Sequence, residues 1–250
     1  MAVSSTTGAK GSAILSVDSS TCAALLPGVL SVVAGSADVI SFLGLGGLFT
    51  AHITGNLVIL ATHLVNGGAA PLAPMLSVPV FMAVLGATKL LACNLQVRGR
   101  NTLGPLLALQ FLLLLGFLVL AVAEGAKNDP NAPCAVVAGM LGVAAMAVQS
   151  GLVQISLEGA PSTTVMTTNV TSFMIDVGEL LRRGGARDPA AVRSRVRHTW
   201  PAIFGFALGC GLGAAFEAAA GLRSLALPAG LALLALAMGM AIEPAGDRRP

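Results

Sequence analysis

Thr50-Ala-His-Ile-Thr-Gly-Asn56 and Thr163-Thr-Val-Met-Thr-Thr-Asn169 are two copies of one pattern, T-x-x-x-T-x-N, set 113 residues apart. Each copy is a polar island in strongly apolar sequence. A duplicated island of this kind marks a two-fold repeated membrane protein, with its functional centre where the repeats meet. The pattern locates chemistry and names no substrate.

Composition decides the class. Of 250 residues, 55% are hydrophobic and 10% charged, and the mean hydropathy is +0.86. Soluble domains carry about 25% charged residues. A soluble fold with so few charges lacks the polar surface to cover itself. In a bilayer the shortage is expected, because a charge near the centre costs at least about 2.5–3.5 kcal/mol. Thirty glycines suit closely packed membrane helices. With no Tyr and one Trp, an aromatic belt is nearly absent. The expected class is an all-α integral membrane protein, its surroundings the lipid bilayer.

Apolar runs cover 24–46, 48–65, 71–95, 103–123, 133–157, 163–181, 200–220 and 222–243. About 20 helical residues cross the hydrocarbon core. Six runs qualify. The other two, 48–65 and 163–181, are short and polar, and they carry the motif. Repeat one is about 24–123 and repeat two about 133–243, parted by the polar turn cluster Glu124–Asn131. His63 falls opposite Asp176 at the same offset, and Val80-Phe81 through Gly86 resembles Ile203-Phe204 through Gly209. A polar tail (1–20) precedes the single membrane domain (21–243), and a short one (244–250) follows it.

Six of the fourteen Lys and Arg residues lie in Arg182–Arg197. No aromatic interleaving accompanies them, so nucleic acid is not a partner. They read as a cytoplasmic loop under the positive-inside rule. If the two short segments are re-entrant, each half has three crossings and the second is inverted. Arg98 and Arg100 then join the arginine run and both termini inside, with 124–129 outside. The alternative has eight crossings and parallel halves. The charge pattern favours six transmembrane helices plus two short re-entrant or broken helices.

The motif supplies the candidate binding residues: Thr50, Thr54 and Asn56, with Thr163, Thr167 and Asn169. A helix that starts inside a bilayer leaves backbone N–H groups without partners. Pro161-Ser162-Thr163 is a helix-start signal. Phe49-Thr50 follows Gly44, Gly46 and Gly47, which break the preceding helix. Two such N-termini meeting at the midplane suit an anion or carboxylate. Helical spacing puts His52, Asn56 and His63 on one face, with Thr50 and Thr54 opposite. The bland alternative is interhelical glue.

Asp38, in mid-helix, is the candidate proton- or ion-coupling group, with Lys89 as an ion-pair partner under the structural reading. His52, Gln149 and Asp176 are candidate cavity-lining residues. Gln154 shares that reading with Gln149, and Asp176 has pairing with Arg182 and Arg183 as its alternative. Gly205-x-x-x-Gly209-x-x-x-Gly213 marks a close helix contact, with a homo-oligomer interface as the other reading. His198-Thr-Trp200-Pro201 reads as an interfacial anchor opening the next helix. The four cysteines form no C-x-x-C, and no metal or cofactor is expected.

Leu30-Ser-Val-Val-Ala-Gly-Ser-Ala-Asp38 and the following Phe42 to Asn56 resemble the YoaK-like family, small membrane proteins classed under a domain of unknown function (DUF1275). Thr163 to Asn169 also resembles its pattern, with Thr168 where that pattern usually has Gly. The resemblance covers about 24–243. It implies a membrane protein of six to eight helices with no established activity.

No HExxH, GxSxG or paired intramembrane carboxylates occur, so no enzyme is expected. Without a Gly-x-x-x-x-Gly-Lys loop, transport would draw on an ion gradient. The expected function is a secondary transporter or facilitator of a small polar or anionic solute in the plasma membrane. The alternative is a non-transporting scaffold or partner subunit that uses Arg182–Arg197 as its contact surface.

Overall fold

The computed structural model describes residues 19–66, 71–123, 131–157, 159–182 and 188–246. The described residues form helices and short connections, with no strand among them. The helices are α1 (Ser19–Gly44), α2 (Ile53–Asn66), α3 (Leu72–Val97), α4 (Leu103–Ala123), α5 (Pro133–Ser156), α6 (Met166–Leu181), α7 (Pro189–Ala220) and α8 (Ala226–Gly246). Five helical stretches are long and apolar enough to cross a membrane. The last, Pro189–Ile242, has 54 residues and holds α7 and most of α8. It passes through Gly221, at φ 60°, and a 3-10 turn over Gly221–Leu225.

By contrast, α2 has 14 residues and α6 has 16. At 1.5 Å per residue they reach only about 21 and 24 Å. Neither spans a hydrocarbon core about 30 Å thick. The shortness expected of the two motif-bearing segments is therefore present. The chain is a multi-pass, all-helical membrane protein.

Two helices occupy the centre. Helix α1 packs on α7, α8 and α5, while α5 packs on α3, α4 and α1. Helices α4 and α8 meet, α2 lies on α3, and α6 lies on α7. Buried along much of its length, α5 carries Ala, Gly and Val where neighbours press closest. The outer helices expose Leu64, Met82, Leu90 and Val97, as a lipid-facing surface requires.

Small residues set the closest contact. A Cβ on Gly205 would lie 2.7 Å from the Gly28 carbonyl oxygen, and one on Gly213 would lie 3.0 Å from the Ser36 Cα. A Cβ on Gly209 would overlap the Val32 carbonyl. The glycine run is thus a packing seam, and its partner is α1. In membranes such seams let backbones approach where lipid supplies no hydrophobic drive between helices.

The boundary of α7 differs from the sequence expectation. The helix begins at Pro189, inside the arginine run, because the Asp188 carboxylate accepts the Ala191 N–H at 3.1 Å and Pro189 takes the first helical position. Arg193, Arg195 and Arg197 are therefore helical, and Pro201 lies within α7 instead of opening a helix. Residues 1–18, 67–70, 124–130, 158, 183–187 and 247–250 lie outside the described residues, as do the expectations that fall on them.

Candidate functional site

The first motif copy is built on a chain reversal. Helix α1 stops at Gly44, and Gly46 and Gly47 take φ of 66° and 89°, a region open to glycine. The chain returns alongside α1 and meets Asp38, which is 2% exposed. One carboxylate oxygen accepts the Thr50 N–H at 2.8 Å, the Ala51 N–H at 2.5 Å and the Thr50 hydroxyl at 3.2 Å. The other accepts the His52 N–H at 3.2 Å and lies 2.6 Å from His52 Nδ1.

Asp38 thus holds the donors just ahead of α2, which would otherwise be orphaned in an apolar interior. Helix α2 starts only at Ile53. Thr50 and His52 precede it, so the helical spacing drawn through them does not apply. Lys89 is exposed on α3, and it is His52 that pairs with the carboxylate.

Asn56 is fully buried and turned toward its own chain. Its Oδ1 accepts the Phe49 N–H at 2.9 Å, and its Nδ2 donates to the Phe49 carbonyl and to Ser77 Oγ, both at 2.8 Å. Asn169 repeats the latch, donating to the carbonyl of Ser162, again seven residues back, at 2.6 Å.

The second copy is capped differently. Ser162 Oγ accepts the Val165 N–H at 2.9 Å and the Thr164 N–H at 3.4 Å. No carboxylate enters, and Val165 stands 113 residues after His52. The threonines are held from α5. Gln149 Nε2 donates to Thr163 Oγ1 at 2.9 Å and to the Leu30 carbonyl at 2.8 Å. Gln110 Nε2 donates to Gln149 Oε1 at 2.7 Å, while Gln110 Oε1 is buried without a partner. Ser150 and Thr164 share a bond of 3.1 Å.

Both copies open on one cavity of about 520 Å³. Ala51 to Thr54 lines it from the first copy, and Ser162 to Thr167 from the second. Phe81 and Leu85 of α3 and Ser150, Val153 and Gln154 of α5 complete the wall. Of the residues expected at the site, Thr54, Thr163, Thr167 and His52 meet here. Thr50, Asn56, Asn169 and Gln149 stand behind the wall and fix it. Asp38 lines a neighbouring cavity of about 420 Å³ with Phe49, Val58, Phe206 and Cys210. His52 and Thr54 border both cavities.

Asp176 lies elsewhere, 6% exposed and bonded by Arg195 at 2.7 and 3.0 Å. It ties α6 to α7. Because α7 starts early, Arg195 reaches Asp176; of the two arginines expected there, Arg183 lies outside the described residues. Sequence reasoning missed Ser150, Ser77 and Gln110. Ser150 and Gln154 are four apart on α5, one face of a helix, and that spacing was the available signal.

Among the described lining residues His52 is the one ionisable group. The rest of the polar wall is hydroxyl and amide. Such a wall donates and accepts hydrogen bonds without the cost of burying charge.

The model of a family described as protein of unknown function (DUF1275) matches residues 26–238. No curated protein and no solved structure matches the chain.

Proposed function

The chain belongs to the DUF1275 family of proteins of unknown function, and we propose that it is a secondary transporter or facilitator of a small polar or anionic solute. The observation that carries this reading is that both motif copies line one cavity. Its volume falls in the range of small-molecule sites, about 300–1,000 Å³. The first N–H groups of α2 and α6 have no intrahelical partners, and each helix presents its positive dipole end there. Thr54, Thr163 and Thr167 bind the solute in this reading. Asp38, with His52 on it, is the coupling group.

The packing supports two repeats. Exchanging the halves turns the α1–α7 contact into α5–α3, α1–α8 into α5–α4, and α2–α3 into α6–α7, and every one of these contacts exists. Counting the 54-residue stretch as two crossings gives six, with α2 and α6 re-entrant and the halves inverted. Both termini and the Arg182–Arg197 region are assigned to the cytoplasmic side of a plasma membrane, following the charge pattern. The same reading includes no enzymatic step and no cofactor.

The test is uptake of radiolabelled glycerol, lactate and phosphate into proteoliposomes holding the full chain. At least one solute should enter at least tenfold faster than into protein-free liposomes. Thr167→Trp, which adds an indole to an exposed cavity position, should return that rate to background. Uptake of all three at the protein-free level would overturn the proposal.

A further inference from the structure

The cavity's chemistry narrows the solute, on the premise that this cavity is the solute site. Among the described lining residues a cation finds no carboxylate. Asp38 lines the neighbouring cavity, and both of its oxygens are taken by Thr50, Ala51 and His52. A phosphate or a dianion would need more than one compensating charge, and His52 is the one ionisable group on the described wall. His52 uses Nδ1 on Asp38, leaving Nε2 for a ligand, and its side chain is 37% exposed.

The same wall also carries the apolar side chains of Phe81, Leu85, Val153 and Met166. One negative group and a short hydrocarbon part therefore match the surface. The hydroxyls of Thr54, Thr163 and Thr167 supply neutral donors beside the charge.

We propose that the cavity takes a small monocarboxylate together with one proton, which resides on the imidazole of His52. The charges balance. Empty, the site holds the Asp38 carboxylate and a neutral imidazole, one negative charge. Loaded, it holds two carboxylates and an imidazolium, again one negative charge. The proton adds to Nε2, where it donates to the ligand carboxylate, while Nδ1–H continues to donate to Asp38. No net charge enters the bilayer with the ligand. Among the described residues the titratable groups facing His52 are Asp38 from α1 and Cys210 from α7, both on the neighbouring cavity. Val165 occupies the corresponding position of the second copy, so the pair is particular to the first half.

The experiment is calorimetric titration of the detergent-purified full chain with sodium butyrate and, separately, with butyramide, from pH 5 to pH 9. Butyrate affinity should fall about tenfold per pH unit once His52 loses its proton, as linkage of one proton to one ligand requires. Butyramide should bind at least tenfold more weakly at low pH and show no slope. His52→Gln should abolish the slope, and it leaves the backbone donors to Asp38 in place. Thr167→Val, which leaves the Asp38–His52 pair in place, should weaken butyrate at every pH and keep the slope. Equal affinity for butyrate and butyramide, or an unchanged slope in His52→Gln, would overturn the inference. Butyrate binding with the slope, but no uptake of any of the three radiolabelled solutes, would support it and sink the transport reading. Uptake of one of those solutes, blocked by Thr167→Trp, without pH-dependent butyrate binding would do the reverse.

Discussion

Asp38→Ala is expected to remove about 3–5 kcal/mol of stability, because several buried donors lose their shared acceptor at about 1–3 kcal/mol each. The carboxylate is 2% exposed and collects three backbone N–H groups, a hydroxyl and an imidazole. Alanine leaves those donors facing an apolar interior, and each unpaired buried donor costs about 1–3 kcal/mol. The expected loss is set below the sum over these donors, because rearrangement at the start of α2 and entry of water would re-satisfy some of them. Asn at this position keeps an acceptor for Thr50 and Ala51 but turns an amide donor toward His52. Its expected cost is about half that of Ala. His52→Gln, which spares the backbone bonds, should cost least. Equilibrium unfolding in detergent, followed by circular dichroism, ranks the three. An Asp38→Ala protein within about 0.5 kcal/mol of the parent would show that the carboxylate does not hold α2.

The second large effect is expected at the helix seam. Gly209→Leu should destabilise the chain by about 3 kcal/mol, the upper end of overpacking costs. The atoms in the way are backbone: the Val32 carbonyl and, 2.9 Å from a Cβ, the Val32 Cα. No rotamer change relieves a backbone contact, so α1 and α7 must part. Parting them also disturbs the Gly205 and Gly213 contacts on the same face. Gly211 is the matched control, because a Cβ there meets nothing within 4 Å. Leucine at 211 should be neutral or slightly stabilising through helix propensity, by up to about 1 kcal/mol. If the two leucine variants melted at the same temperature, the seam would not be the determinant of this packing.

The sequence carried the membrane class, the two short helices and the glycine seam, because each rests on local composition or spacing. The motif's threonines at 54, 163 and 167 line the cavity between the two copies. Which residues face inward was not legible. Asn56 and Asn169 turn back on the chain seven residues before them, a bond that only the folded turn reveals. The Asp38–His52 pairing depends on a reversal through two glycines with positive φ, which brings residues 14 apart together. Helical periodicity cannot express that turn. Gln149, read as a lining residue, is drawn inward because its amide donates to both the Leu30 carbonyl and Thr163. The Asp176–Arg195 pair was hidden by a helix start inside a charge run, although Asp188-Pro189 carried the signal.

The central claim is that one solute cavity is shared by both motif copies. It is tested most directly by single cysteines at Thr54 and Thr167, one from each copy, in a cysteine-free chain reconstituted in liposomes. Treatment with a methanethiosulfonate reagent should stop solute uptake in either variant. The same treatment of a cysteine at Thr62, exposed farther along α2, should leave uptake unchanged. If modification at 54 or 167 left uptake intact, the cavity between the motif copies would not be the solute's path.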